Sequence, residues 1–593
     1  LAKIWPITFL KGGRAWVIKH LSNGAVDGAD IKLKKESGKP FDATGTFQGS
    51  GLDIVYWDKM PKATGVTGIG RFDANGLHID VTRGSSAGLK VEKVAIDFID
   101  LGAKKERIKI DGRVTSQAPA LLALLDRAPL HYARWLGVTP KRTGGLVKAR
   151  LKLAFPLTDT LKLDDVSIDA NGTVQNTVLP GFVNGWDLSA SKLDIGIDKS
   201  KLTVSGAGDL LDQPINFSGS IQFAKAEEQA RFTGDWRLTP DVRRSLGLGN
   251  RAIRRRLTGT TPTRFHISAR AGETYVMDLD ADLTEATLLA QEIGWLKPKG
   301  APARLRARAT LVKGRPTHIE NITLKARDME ANATVLFDSA GTQIQSVQVS
   351  KLVGVGNDIR LQYATGAEGD QIRLSGNQLD IRPLFDLDQG EAKAVADSAI
   401  DEPAKHPLFV DMDIQHVRVA KKFWLQEMQG RMTLTGSWPT EVDASARYRG
   451  GSLIAASLPG SEGRIRVGAS DFGALMLATG ASAAIAKGTA QITASKATTG
   501  ALGLAFKAKK FTLLKSELAK ISGDRKPSPM PQMLGEGDRL QFQRMDIRGH
   551  WRAGILSISK GRAFGNALGL TASGIVDVVA EQINLKGAAS PAY

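Results

Sequence analysis

Leu193-Asp194-Ile195-Gly196-Ile197-Asp198-Lys199-Ser200-Lys201-Leu202-Thr203-Val204-Ser205-Gly206 decides the fold. Every second residue from Leu193 to Ile197 is aliphatic. A polar break follows, and the alternation resumes at Leu202 and Val204. A helix would space its apolar residues three and four apart, whereas a spacing of two sets them on one face of a strand. The same pattern recurs in both directions. Leu161 and Leu163 lead, after a one-residue shift, into Val166, Ile168 and Ala170. Leu305, Ala307, Ala309 and Leu311 form a longer run, followed by Ile322, Leu324 and Ala326, then Val347 and Val349. Near the end come Leu556 and Ile558, then Val576 and Val578. Gly, Asp, Asn or Ser punctuates these runs roughly every 8–15 residues. The reading is a mostly β chain, an antiparallel sheet of many short strands with a few short helices.

Composition agrees. Over 593 residues, 42% are apolar and 24% charged, the balance of a folded chain rather than a disordered one. Glycine is abundant at 63 residues and aromatics are scarce at 6%, which suits many turns and an aliphatic interior. No residue is cysteine, so disulfides, thiolate metal sites and cysteine nucleophiles are excluded. No apolar stretch is long enough to span a bilayer as a helix. The net charge of +19 suits an anionic lipid surface, a nucleic acid or simple solubility. The charge is spread along the chain, and its densest run is Arg251, Arg254, Arg255 and Arg256.

A phrase repeats at strand ends, as Ile110-Asp111-Gly112, Val204-Ser205-Gly206, Phe217-Ser218-Gly219, Leu374-Ser375-Gly376 and Ile547-Arg548-Gly549. Glycine there predicts a tight turn or a bulge. Helical spacing appears at Gly13–Leu21, at Ala118–Leu136 with a break at Pro129, at Asp241–Leu257, at Asp471–Ala478 and at Phe511–Ile521. The charged, Ala-rich stretch Asp388–Lys405 reads as a linker. Strands are not assignable from Ala481 to Lys510.

Signals for chemistry are thin. The eight histidines, including His20, His78 and His131, never pair at helical spacing, and no zinc or calcium motif occurs. Gly84-Ser85-Ser86-Ala87-Gly88 matches the nucleophile-elbow spacing. An elbow needs a helix to follow, and here Leu89, Val91 and Val94 continue as a strand, so the match predicts a hairpin loop. Asp164-Asp165 reads as a turn. Aromatics are not interleaved with Lys and Arg as a single-strand nucleic-acid platform needs. No enzymatic activity, cofactor or nucleic-acid partner is expected. A hydrolase on a β scaffold would require a carboxylate pair to converge in space.

Several segments together resemble the AsmA-like superfamily of bacterial envelope proteins, in its YhdP-like branch. They are Trp5-Pro6, Arg14-Ala15-Trp16, Gly24 to Ala29, Phe41 to Phe47, Leu121 to Leu130 and the closing Leu570 to Gly587 with Pro591-Ala592-Tyr593. The resemblance implies a bridge-like lipid transfer protein. Its β-sheet would be elongated and curled into an apolar groove that carries phospholipid between inner and outer membranes. It implies residence in the periplasm and an inner-membrane anchor on a segment absent from this chain, which reads as a fragment. On that basis residues 1–386 form an N-terminal repetitive β region with inserted helices, 387–405 a linker, and 406–593 a C-terminal AsmA-like region cut short. If strands lie across the long axis at about 4.8 Å each, some 35 of them would extend about 170 Å. The candidate groove lining is Leu193, Ile195, Ile197, Leu202, Val204, Leu305 and Leu311. The competing expectation is an envelope scaffold whose apolar faces are closed by protein.

Overall fold

The computed structural model describes residues 11–36, 42–56, 60–73, 75–101, 105–127, 142–158, 161–183, 186–223, 226–246, 251–270, 273–386, 406–435, 438–458, 463–496, 501–514, 538–552, 554–566, 568–577 and 582–591. Strands dominate. They hydrogen-bond into one open, mostly antiparallel sheet of 33 strands that does not close into a barrel. Six short helices and a separate three-stranded sheet complete the described residues. The chain falls into two compact units: residues 1–250 with 260–282 and 308–314, and residues 251–259 with 283–307 and 315–593.

In the first unit, Leu21–Ser22 and Ala25–Lys34 both pair with Asp42–Ile54. From there each strand pairs with the next, through Ala63–Phe72, Leu77–Ser86, Leu89–Ile99, Arg107–Gln117 and Gly144–Pro156. The meander continues through Ser167–Val183, Trp186–Asp198, Lys201–Leu210, Gln213–Gln222, Glu228–Leu238, Thr261–Arg270 and Thr274–Asp282. Most of these strands are joined by short connections, which favour pairing with the next strand, while the two long ones, after Gln117 and after Leu238, carry helices.

The second unit repeats the plan from Arg315–Ala326 to Gln582–Pro591, except that Arg464–Ala469 pairs with Thr489–Lys496 while the short strand Ile485–Ala486 pairs with Leu502–Leu514, and except at one parallel pair. Asp370–Asp380 pairs in parallel with Leu408–Arg418. A parallel pair needs a crossover rather than a hairpin. The chain between these two strands contains the predicted linker 387–405, which lies outside the described residues. Within this unit Leu257–Gly259, Ala286–Ala290 and Trp295–Lys297 make the small sheet. Lys297 is buried there, and its ammonium donates to the carbonyls of Leu283 at 2.6 Å and Ala286 at 2.5 Å. Those charge-assisted bonds offset the cost of taking the charge from water.

The helical expectations meet the structure unevenly. Helices occupy Lys11–His20, Ala118–Leu125 and Phe472–Thr479, close to three predicted spans. Residues 128–136 of the second prediction lie outside the described residues. Asp241–Leu257 is corrected to two short helices, Pro240–Ser245 and Arg251–Arg256, and Leu257 heads a strand. Phe511–Ile521 is corrected over its first four residues, which end the strand Leu502–Leu514, while 515–521 lie outside the described residues. Lys510 has φ of 52° inside this strand, and Ala508 and Phe511, three residues apart on either side of it, are both buried, a spacing that imitates a helix. The region that resisted assignment holds the strands Ile485–Ala486 and Thr489–Lys496 and the start of Leu502–Leu514.

The repeated glycines do not make turns. Gly112, Gly206, Gly219, Gly376 and Gly549 lie inside strands. Only Gly376 and Gly549 adjoin register shifts. Their common property is the space they leave. A Cβ on Gly219 would fall 2.1 Å from Phe232 Cδ1, and one on Gly112 2.2 Å from a Val94 methyl. At Gly112, Gly206 and Gly219 an apolar side chain of the neighbouring strand lies across the bare backbone, whereas at Gly376 and Gly549 the neighbouring backbone itself comes close.

Candidate functional site

The site is a surface and not a cleft. In the first unit, Val81, Val94, Gly112, Leu151, Ala170, Ile197, Leu202, Ile221, Ala230, Ala269 and Tyr275 stand directly opposite one another on eleven successive strands. A second row runs beside it: Gly84, Val91, Val114, Ala149, Gly172, Ile195, Val204, Gly219, Phe232, Ile267 and Met277. From Gly112 and Val114 onward the two rows are two residues apart on every strand, and side chains two apart share a face, so there both rows lie on the same side. From Val91 to Met277 every member of the second row is half-buried, neither sealed nor fully in water.

The predicted lining residues can now be placed. Ile195 faces Val204 and Ile197 faces Leu202, all half-buried on this face. Leu193 shares the face but is only 2% exposed, packed with Leu188, Leu210, Ile215 and Phe217, so it is core. Leu305 and Leu311 sit on one side of the strand Ala303–Val312 with Ala307 and Ala309, and Arg304, Arg306 and Arg308 on the other. Arg308 bonds Asp278 at 2.6 and 3.1 Å, so this pair belongs to the polar face and Leu311 to the same side as Met277 and Leu279.

The second unit holds the longest row, of which the alternating runs at Ile322 and Val349 are two members. It runs Ile322, Ala333, Val349, Leu361, Leu374, Met412, Gly430, Ala444, Ala455, Val467, Ile492, Phe506, Ile547, Gly561, Ala572 and Gly587. Sixteen strands contribute, and none contributes a polar side chain. Ile322 through Met412 are all half-buried, and Ile492 is 40% exposed. In a sandwich a second sheet would bury such central positions. Most of this row is not legible from the sequence. Its local signal is the alternation of Leu361 with Tyr363 and of Ile372 with Leu374.

The neighbouring row, in contrast, is covered over part of its length. Ala446, Ala469, Ala490, Ala508 and Ala563 are buried, and the helix Phe472–Thr479 packs over this region through Phe472 and Leu475. The helix is fixed at its start. The Asp471 carboxylate accepts from the Ala474 amide at 2.8 Å, and Tyr448 donates to the Asp471 carbonyl at 2.5 Å. Small residues beneath and a capped apolar helix above are complementary in shape. Phe472 of the helix meets Phe511 edge to face at 5.7 Å, and Phe511 stacks on Phe542 at 5.1 Å.

The opposite face is polar and laced with ion pairs, such as Arg150 with Asp111 at 2.8 and 2.7 Å and Arg373 and Arg431 on either side of Asp411 at 3.8 and 3.5 Å. Arg150 holds the Asp111 carboxyl below its usual range. His78 binds Asp97 at 2.5 Å and Asp80 at 3.2 Å, and its pKa is raised, chiefly by Asp97. Among the described residues no cluster of His, Asp and Glu is arranged to hold a metal. The Gly84–Gly88 stretch is a hairpin, with Ala87 and Gly88 at φ of 49° and 87°, as a two-residue primed turn requires. Ser86 donates to the Pro61 carbonyl at 3.0 Å rather than meeting a histidine. Leu163–Asp165 forms a single helical turn, as the acidic pair suggested.

A family model described as YhdP protein matches residues 10–528, nearly nine-tenths of the chain and parts of both units. The chain belongs to the YhdP family. Neither a curated protein nor a solved structure matches it. YhdP membership points to an envelope-related role. The long apolar row runs through the YhdP match and continues past residue 528 on the last four strands. Among the described residues no helix is long and apolar enough to cross a membrane.

Proposed function

We propose that this chain is a lipid carrier of the bridge-like kind, which holds the acyl chains of phospholipids against its apolar sheet face. It would work in the periplasm and pass lipid between inner and outer membranes. The observation that carries this reading is the sixteen-strand row from Ile322 to Gly587, apolar at every position and half-buried or exposed where no protein element seals it. An uncovered apolar surface of this extent is unfavourable in water unless something apolar occupies it. Each methylene removed from water contributes about 0.8 kcal/mol. Because adjacent positions are chemically alike, a chain moving from one strand to the next exchanges one aliphatic contact for another, and no deep minimum stops it. The polar headgroup stays in solvent, which fits the apolar character of this face.

A scaffold without lipid conduction is the second reading. It is favoured where the helix Phe472–Thr479 already covers the alanine row with protein. Native mass spectrometry of the purified chain, followed by lipid extraction, separates the two. Several phospholipids bound per chain support transport. A folded, monodisperse chain free of lipid in detergent-free buffer overturns it in favour of the scaffold.

A further inference from the structure

The polar face is not uniform. Residues 463–593 hold 18 Lys and Arg against eight Asp and Glu, so ten of the net +19 charges fall in the last 131 residues. On three adjacent strands, Leu502–Leu514, Arg539–Arg552 and Ile555–Gly565, the register aligns these cations. Lys509 stands opposite Arg544 and Arg548 opposite Lys560, two directly opposed like-charge pairs. Lys507 and Arg562 flank Asp546, the lone carboxylate of the group, which Arg544 already engages. All six cations are exposed. Like charges facing each other across a ladder destabilise a sheet. The polar face around Asp411 shows the stabilising alternative, Arg373, Asp411, Arg431 and Asp443 in strict alternation. Fold stability therefore does not account for the basic group.

Apolar residues accompany it on the same face. Phe564 is 50% exposed and Ile575, one strand on, 49%. We propose that this face docks on a bilayer surface rich in anionic phospholipid, a contact separate from the acyl-binding face on the other side of the sheet. Six cations on three strands span about 10 Å, close to one Debye length at physiological salt, and act on a charged surface together. Phe564 and Ile575 supply what a purely electrostatic partner such as a nucleic acid would leave unused, side chains that gain by entering the headgroup boundary.

The test is sedimentation of the full chain with vesicles of phosphatidylcholine, with and without phosphatidylglycerol, at low and high salt. The first variant carries Lys507→Glu, Arg548→Glu, Lys560→Glu and Arg562→Glu. The control carries Lys90→Glu, Lys109→Glu, Lys148→Glu and Lys152→Glu, the same charge change on the polar face of the first unit. Wild-type binding should need the anionic lipid and fall steeply with salt. The first variant should lose at least about a hundredfold in partitioning, at roughly fivefold per cation near the surface, and the control far less. A milder set with Gln at the same four positions separates the same outcomes should the reversals fail to fold. Equal losses in both variants, salt-insensitive binding, or a preference for duplex DNA over the vesicles would each overturn the proposal. Acyl binding by the opposite face is measured separately by lipid extraction, so loss of one does not imply loss of the other.

Discussion

Replacing Ile195 and Val204 together by Asp tests whether the apolar face is open. The two are direct cross-strand partners, both half-buried, and both in the middle of an unbroken row. On an open face the new carboxylates reach water, so folding loses only the strand preference and some packing, about 1 kcal/mol per site. A lipid tail is affected far more. A tail lying along the row meets one side chain per strand, and each strand spacing of about 4.8 Å corresponds to roughly four methylenes. With one side of the tail covered, that is roughly 1.5 kcal/mol per strand. Two charged positions thus remove about 3 kcal/mol, a fall in affinity of about a hundredfold. Leu193→Asp is the contrast, because Leu193 is 2% exposed and a carboxylate there is buried among Leu188 and Phe217. That variant should lose several kcal/mol of stability or fail to fold. The assay pairs urea unfolding with displacement of a fluorescent fatty acid. If the double variant is as unstable as Leu193→Asp while its lipid affinity is unchanged, protein covers the face and the reasoning is wrong.

Three further outcomes are expected. Gly219→Val places atoms where Phe232 lies, 2.1 Å from the would-be Cβ, and should cost about 1–3 kcal/mol by urea melts, with Phe232→Ala as partial rescue. Asp471→Ala removes the cap of the helix Phe472–Thr479 and should cost about 1 kcal/mol, with faster amide exchange at Ala474 than in the wild type. The His78 pKa is raised above its ordinary 6.5 by Asp97 and Asp80. Its contribution to stability is therefore full below pH 6.5 and fades as the pH rises through the folded-state value. Stability of His78→Gln should lose that part of the pH dependence, and a wild-type-like pH profile in the variant would contradict it.

Much of the strand content is legible in the sequence, because period-two spacing is a local property and survives in any context. Leu193, Ile195 and Ile197 declare a face among themselves, and so do Leu305 and Leu311. The hairpin at Ala87 and Gly88 is equally legible, since alternating runs flank it on both sides, at Leu77 to Val81 and at Leu89 to Val94. Where local signals compete, sequence reasoning fails. The left-handed residue Lys510 makes a strand look like a helix, and the glycines inside strands look like turns because what they make room for lies on the neighbouring strand.

What the sequence by itself determined is therefore the alternation: a mostly β chain, one apolar and one polar face, and no motif for metal or nucleophilic chemistry. What only the tertiary structure decided is how those faces join. Register between strands brings Leu361 opposite Leu374 and Leu374 opposite Met412, across a parallel pair formed from segments nearly forty residues apart. Packing decides that Leu193 is core while Ile195, two residues on, stays open, and that alanines at 469, 490 and 508 lie under a helix. The physical reason is that a side chain's direction is set by its own backbone, whereas its cover and its cross-strand partner are set by chain remote in sequence.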